Sequence, residues 1–177
     1  MFPYEAKSDV ARRAIFIKKL LKKQQIETAS AENCRVPVIA ALHGHVIGAA
    51  IDLTSGADIR MCAEGAQFSI REIDIGLNAD IGVLQRIQRI VGNNSWAREV
   101  VYTGRFFNPE EALKQGLVSR VAKDKEALDK EAWELAKTIA SKSPVAIHGI
   151  KETLNFARDH TIADGLLQVR SLNGSLT

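Results

Sequence analysis

A chain of 177 residues, 46% hydrophobic and 25% charged, has the length of one domain with ample material for a buried core. That balance excludes disordered and fibrous classes, and no stretch approaches the length of a membrane span. A net charge of +3 suits an anionic ligand without demanding one, and it makes no case for nucleic acid.

The two cysteines, Cys34 and Cys62, lie in or beside strand-like runs without metal-ligand spacing, so they read as free thiols and no metal site is expected. The opening MFPYEAKSD lacks both the apolar core of a signal peptide and the arginine-rich look of a transit peptide. Ser175-Leu176-Thr177 is not a peroxisomal Ser-Lys-Leu address. The residues alone leave the compartment open.

In chain order, the first element is a helix capped by Ser8 or Asp9, with Val10, Ala14, Ile17 and Leu21 on one stripe. Arg12, Arg13, Lys18, Lys19, Lys22 and Lys23 fall mostly on the other side. With only Phe16 interleaved, this reads as a solvated face and not a nucleic-acid or membrane surface. Residues 36–42 form an unbroken apolar run and predict a fully buried strand. His43-Gly44-His45 breaks that pattern. Gly48-Ala49-Ala50 then offers a nearly bare backbone, opening a short helix to about Ser55 whose N–H groups point into a site.

Two strands over 57–63 and 67–70 are joined by a turn at Glu64-Gly65, with Asp58 and Arg60 as polar residues at a strand edge. A helix from Asp80, a candidate for its cap, carries Leu84, Ile87 and Val91 and stops at Gly92. Asn94 or Ser95 caps the next, over 96–102. Asn108-Pro109-Glu110-Glu111 is a cap, proline and acidic first turn in sequence; that helix closes at Gly116 before a strand over 117–121. Helices over 125–141, from Ser143-Pro144 towards Asp159, and over 162–172 behind Thr161 complete the chain. The alternation predicts one layered α/β domain over 1–177 with a mainly parallel sheet, its core reaching about residue 122 and a helical region over 123–177.

Three carboxylates stand out. Asp52, Glu72 twenty residues on and Asp80 eight beyond that each sit among aliphatic neighbours, where ionisation is costly and the pKa is expected to be perturbed. Acids of that kind beside an approachable backbone suit proton transfer.

The segment over 37–80 resembles the enoyl-CoA hydratase/isomerase (crotonase) superfamily. Gly48-Ala49-Ala50 stands where many members carry three glycines, and the set Asp52, Glu72, Asp80 is that of the superfamily's delta(3,5)-delta(2,4)-dienoyl-CoA isomerases. Hydratases carry glutamates at the positions of Asp52 and Glu72. Glu111-Ala112-Leu113, Gly116-Leu117-Val118 and Val121 match a further family stretch, EALxxGLVxxV. The resemblance implies a crotonase-like (ClpP/crotonase) fold of ββα units with a helical C-terminal trimerisation region. It implies an isomerase of fatty-acid β-oxidation that shifts the double bonds of 3,5-dienoyl-CoA to the 2,4 positions. By position, Asp80 is the base near the α-carbon, Glu72 the acid at the distal carbon, and Asp52 the orienting group. The Ala49 N–H is an oxyanion donor, and Gly48 and Ala49 touch the substrate.

The partner so implied is an acyl-CoA thioester, whose CoA belongs to the substrate, with no separate cofactor. The assembly is a homotrimer or homohexamer, and the compartment a peroxisome or mitochondrion. The alternatives are an enoyl-CoA hydratase or another enoyl-CoA isomerase, or a non-catalytic homologue acting through its basic helix on RNA or protein. Family members carry a further N-terminal region with the other oxyanion donor and much of the CoA surface, so the 177-residue chain alone is expected to be weakly active or inactive.

Overall fold

In this computed structural model, which describes residues 9–174, the chain opens with α1 (Val10–Thr28), capped by Asp9 through a 3.0 Å bond from the Arg12 N–H. Ser8, the alternative cap, and Ser175-Leu176-Thr177 lie outside the described residues. A short α2 (Ser30–Asn33) leads to β1 (Ile39–Leu42), and Gly44, with φ of 62°, turns the chain into β2 (His45–Ile47). Next come α3 (Ala49–Ser55), β3 (Ile59–Ala63) and β4 (Gln67–Ser69). A 3₁₀ turn (Glu72–Ile75), α4 (Val83–Ile90), α5 (Asn94–Thr103), α6 (Pro109–Gln115) and β5 (Arg120–Ala122) follow. Beyond β5 the chain is helical: α7 (Lys125–Ala140), α8 (Pro144–Ala157) and α9 (Ile162–Gly174).

Among the described residues the named strands pair in parallel, as the expected mainly parallel sheet implies, and Phe68 adds an isolated antiparallel bridge to Phe107. The strands divide between two sheets. β1, β3 and β5 form one, in that order, with Leu42 opposite Cys62 and Cys62 opposite Val121. β2 and β4 form the other, Val46 opposite Phe68. Consecutive strands therefore enter different sheets, and α3 provides the crossover that a parallel pair needs. This is the ββα repeat of the expected crotonase-like fold. Its core is dominated by Phe68, stacked on Phe107 at 5.4 Å, with Trp96 edge-on to Phe107 at 5.1 Å. The Trp96 indole N–H donates to Glu111, which also pairs with Arg105, so the family stretch beginning at Glu111 anchors this aromatic cluster.

Several elements differ from their sequence reading. The strand expected to be fully buried over 36–42 is ordered only over Ile39–Leu42, with Val36 60% exposed and Ala41 exposed. Val36 precedes the strand, and among the described residues β1 pairs only with β3. His45 does not break the pattern but starts β2. The strand read at 117–121 lies at 120–122, because Leu117 and Val118 donate their N–H groups to the Ala112 carbonyl and finish α6. Asn93 caps α5 in place of Asn94 or Ser95.

The α1 stripe is largely solvent-facing, with Val10 79% and Ile17 52% exposed; the helix is fastened near its C-terminal end. There Gln25 donates to the Asp80 carbonyl at 2.8 Å and Thr28 to the Ile81 carbonyl at 2.6 Å. Nor do Asp58 and Arg60 mark an edge. Arg60 lies on the central strand and donates to the Leu117 and Ala57 carbonyls, while Asp58 accepts from the Val38 N–H at 2.7 Å and from Lys151 at 2.9 Å. Cys62 is a buried free thiol whose pKa burial pushes up to about 11, and Cys34 is a half-buried one.

Candidate active site

Gly48, at φ 55° and ψ −121°, adopts a conformation that side chains disfavour. Its N–H donates to the Ser69 carbonyl at 3.0 Å, tying the end of β2 to β4. Its own carbonyl accepts from Ile51 and Asp52 at 2.7 and 3.2 Å, which starts α3. Ala49 and Ala50 are thus the first helical residues, whose N–H groups no intrahelical carbonyl can reach. Ala49 is exposed, and its methyl leaves the backbone open to approach.

Glu72 starts the 3₁₀ turn and lies directly against Gly48: a Cβ built on the glycine would be 2.7 Å from Oε1. The other oxygen, Oε2, is buried without a hydrogen-bond partner. Asp52, on α3, is 1% exposed. Its Oδ1 accepts from the Val83 N–H at 2.7 Å and its Oδ2 is buried without a partner. Burial raises its pKa to about 6, against the lowering effect of the Val83 bond; the charges of Glu72 and Asp80 push it the same way as burial, and Arg86 opposes them.

Asp80 is half-buried in the loop before α4. It does not cap that helix. Gly82, at φ 137°, takes the cap position, so the Asp80 carboxylate is not consumed by the helix end. Asp80 lines a cleft of about 790 Å³ together with Gln25, Gly82 and Arg86. The structure therefore brings Gly48, Ala49, Asp52 and Glu72 together at the start of α3, while Asp80 lines a cleft that includes none of those four and reaches them through its charge on Asp52.

Arg86 was not anticipated from the sequence. It donates through Nε and Nη2 to Glu32 Oε2 at 3.1 and 2.9 Å, and Glu32 Oε1 accepts from Arg158 at 2.8 Å. A signal was present: Val83, Arg86, Ile87 and Ile90 share helical spacing, so this arginine interrupts the inward stripe of α4. Among the described residues, no group of three or more His, Cys, Asp or Glu is placed to hold a metal ion, and no helix is long and apolar enough to cross a membrane. Backbone donors flanked by carboxylates can stabilise a developing oxyanion and move protons beside it.

Comparison with known proteins identifies the family and the fold. Residues 7–175 match the family model described as enoyl-CoA hydratase/isomerase. The mitochondrial delta(3,5)-delta(2,4)-dienoyl-CoA isomerase of Mus musculus is 44% identical over 168 residues, covering 95% of this chain and 51% of that protein. The peroxisomal enzyme of the same name from Arabidopsis thaliana is 40% identical over 96% of this chain and 60% of its own length. The chain thus spans about half the length of the first of these relatives and somewhat more of the second. Among solved structures, an enoyl-CoA hydratase from Bacillus anthracis superposes with a TM-score of 0.83 at 27% identity, over 96% of this chain and 63% of that one. An enoyl-CoA hydratase/isomerase from Cupriavidus metallidurans gives 0.85 at 29%, over 92% and 60%. With nearly its whole length matched by the family model and its ββα layers shared with these structures, the chain belongs to the enoyl-CoA hydratase/isomerase (crotonase) family.

Proposed function

We propose that the chain carries the acid set of a dienoyl-CoA isomerase, converting 3,5-dienoyl-CoA to 2,4-dienoyl-CoA in fatty-acid oxidation. One observation carries this reading: Glu72 packs on Gly48 at the start of α3, and the charges of Glu72 and Asp80 both act on the buried Asp52 of that helix. The relatives named as dienoyl-CoA isomerases support it.

The acyl thioester oxygen rests against the Ala49 N–H. Asp80 takes a proton from the α-carbon, the electron pair of that C–H bond moves into an extended enolate, and its negative oxygen is held by the backbone donor. Glu72 returns a proton to the distal carbon, which re-forms the conjugated thioester with the double bonds shifted. Asp52 touches neither carbon. Through the Val83 N–H it fixes the first turn of α4, and with it the loop that bears Asp80. The substrate is an acyl-CoA, no separate cofactor is required, and the protein assembles as a homotrimer or homohexamer. Relatives named mitochondrial and peroxisomal favour one of those organelles as its compartment.

The test is to mix the protein with a 3,5-dienoyl-CoA and follow conjugation by ultraviolet absorbance. A gain of the 2,4-dienoyl chromophore supports the isomerase. Hydration of a 2-enoyl-CoA without that gain supports a hydratase instead.

A further inference from the structure

We propose that Arg86, tethered by Glu32, is a positioning residue for Asp52 and Asp80, and that the seating of α8 on α2 is what holds it in place. The inference rests on the reading that these two acids serve the isomerisation.

Arg86 lies one turn after Val83, whose N–H binds Asp52, and six residues after Asp80. One end of its guanidinium forks onto Glu32 Oε2. The other end, Nη1, is buried without a hydrogen-bond partner and presses into the space that a Cβ on Gly82 would need. A guanidinium is rigid and planar, so fixing one end against a carboxylate fixes where the other pushes. What it pushes against is the 80–83 loop, which carries Asp80 and presents the Val83 N–H.

The tether reaches further. Arg158 donates to the second oxygen of Glu32, Asn155 donates to the Glu32 carbonyl at 3.1 Å, and Asp159 pairs with Arg89 of α4 at 2.7 Å. The C-terminal end of α8 is therefore clamped to α2 at Glu32, the carboxylate that holds Arg86, and Asp159 just after it to α4 through Arg89. The ionisable groups acting on Asp52 are Glu72 from the 3₁₀ turn, Asp80 from the loop and Arg86 from α4; Arg86 is the cation among them. Glu32 and Arg158 stand behind it.

A purely structural clamp would change the melting temperature and leave Asp52 untouched. The deciding measurement is therefore the carboxyl titration of Asp52 by NMR, assigned with Asp52→Asn, which needs no substrate. Arg86→Gln is expected to raise the midpoint by roughly half a pH unit or more, because an adjacent cation favours the charged form. An unshifted midpoint in the folded variant overturns the proposal. Arg86→Lys serves where Arg86→Gln does not fold: losing the fork is expected to speed amide exchange at Val83 roughly threefold or more, and parental exchange there overturns it. On turnover, Glu32→Gln and Arg86→Gln are expected to lose activity together, the double variant no worse than the poorer single. Additive losses break the tether. If the parent, extended by the N-terminal region that family members carry, shows no dienoyl-CoA turnover, the functional reading fails while the titration and exchange still judge Arg86.

Discussion

Glu72 Oε1 occupies the space beside Gly48, where a Cβ built on the glycine would come within 2.7 Å of the carboxylate oxygen. The glycine is thus doubly required, by its backbone at φ 55° and by the acid packed on its α-carbon. Gly48→Ala is expected to destabilise the fold by about 1–3 kcal/mol, the usual cost of a side chain in a disfavoured conformation. It should also displace Glu72, lowering isomerase turnover by roughly 10-fold or more, since small misplacements of reacting groups are costly. Chemical denaturation and the ultraviolet assay read the two effects. Parental stability and turnover together would show that the close approach does not matter.

Asp80→Asn tests the central role. With Gly82 at the cap position, α4 does not depend on the Asp80 carboxylate, so the variant should keep its fold and thermal stability. Turnover should fall by about 10²-fold or more, the ordinary scale for losing a positioned acid or base. Glu72→Gln should behave alike. A folded Asp80→Asn protein within a few-fold of the parent would remove Asp80 from the mechanism.

What was legible in the sequence is written in short-range signals: the small residues at 48–50 and the caps at Asp9, Asn108 and Ser143 each act within a few residues of themselves. The set Asp52, Glu72 and Asp80, whose first and last members lie 28 positions apart, was read from the family resemblance. What escaped was non-local. The split of β3 and β4 into different sheets depends on partners elsewhere in the chain, and a period-two pattern cannot name a partner. The exposure of Val36 and Ala41 depends on what packs against them from elsewhere in the chain, which an apolar run does not encode. Arg86 takes its meaning from Glu32, 54 residues away.

Asp52 gives a pH signature. Its folded pKa of about 6 lies above the ordinary 3.8, so the native state binds its proton more tightly than the unfolded chain does. Stability from this group is fully present below about pH 4 and is lost as pH rises through about 6. At about 1.4 kcal/mol per pH unit, the loss is roughly 3 kcal/mol. Asp52→Asn, whose amide oxygen can still accept from Val83, should escape it. Urea denaturation at pH 4, 5, 6 and 7 should therefore show the variant gaining on the parent as pH rises. Parallel curves would mean that Asp52 does not titrate in this window.

Self-association follows from the helical C-terminal region. Ile150 is 56% exposed, Leu154 63%, and Leu166 and Leu167 59% each, a density of bare aliphatics that isolated soluble domains seldom present. Burying them against further copies of the chain is the expected outcome, in multiples of three. Light scattering at micromolar concentration should report a mass well above 19.4 kDa. Leu154→Glu should lower it. A monodisperse monomer for the parent would contradict the assembly.

Lys151 holds the helical region to the sheet from inside. It is 4% exposed, and its ammonium donates to the Ala31 carbonyl at 2.8 Å, the Val36 carbonyl at 2.9 Å and Asp58 Oδ2 at 2.9 Å. Those acceptors saturate its three N–H groups, and Asp58 in turn receives the Val38 N–H, so α8, α2 and the entry to β1 meet at one cation. Removing the cation alone leaves a half-buried carboxylate and two carbonyls without it. Lys151→Met should therefore cost about 3–5 kcal/mol, the range for breaking one side of a buried pair. Adding Asp58→Asn should recover part of that loss, because the uncompensated charge is gone. Denaturation of the parent, the two single variants and the double variant closes the cycle. A Lys151→Met protein as stable as the parent would mean that α8 is held by its apolar contacts alone.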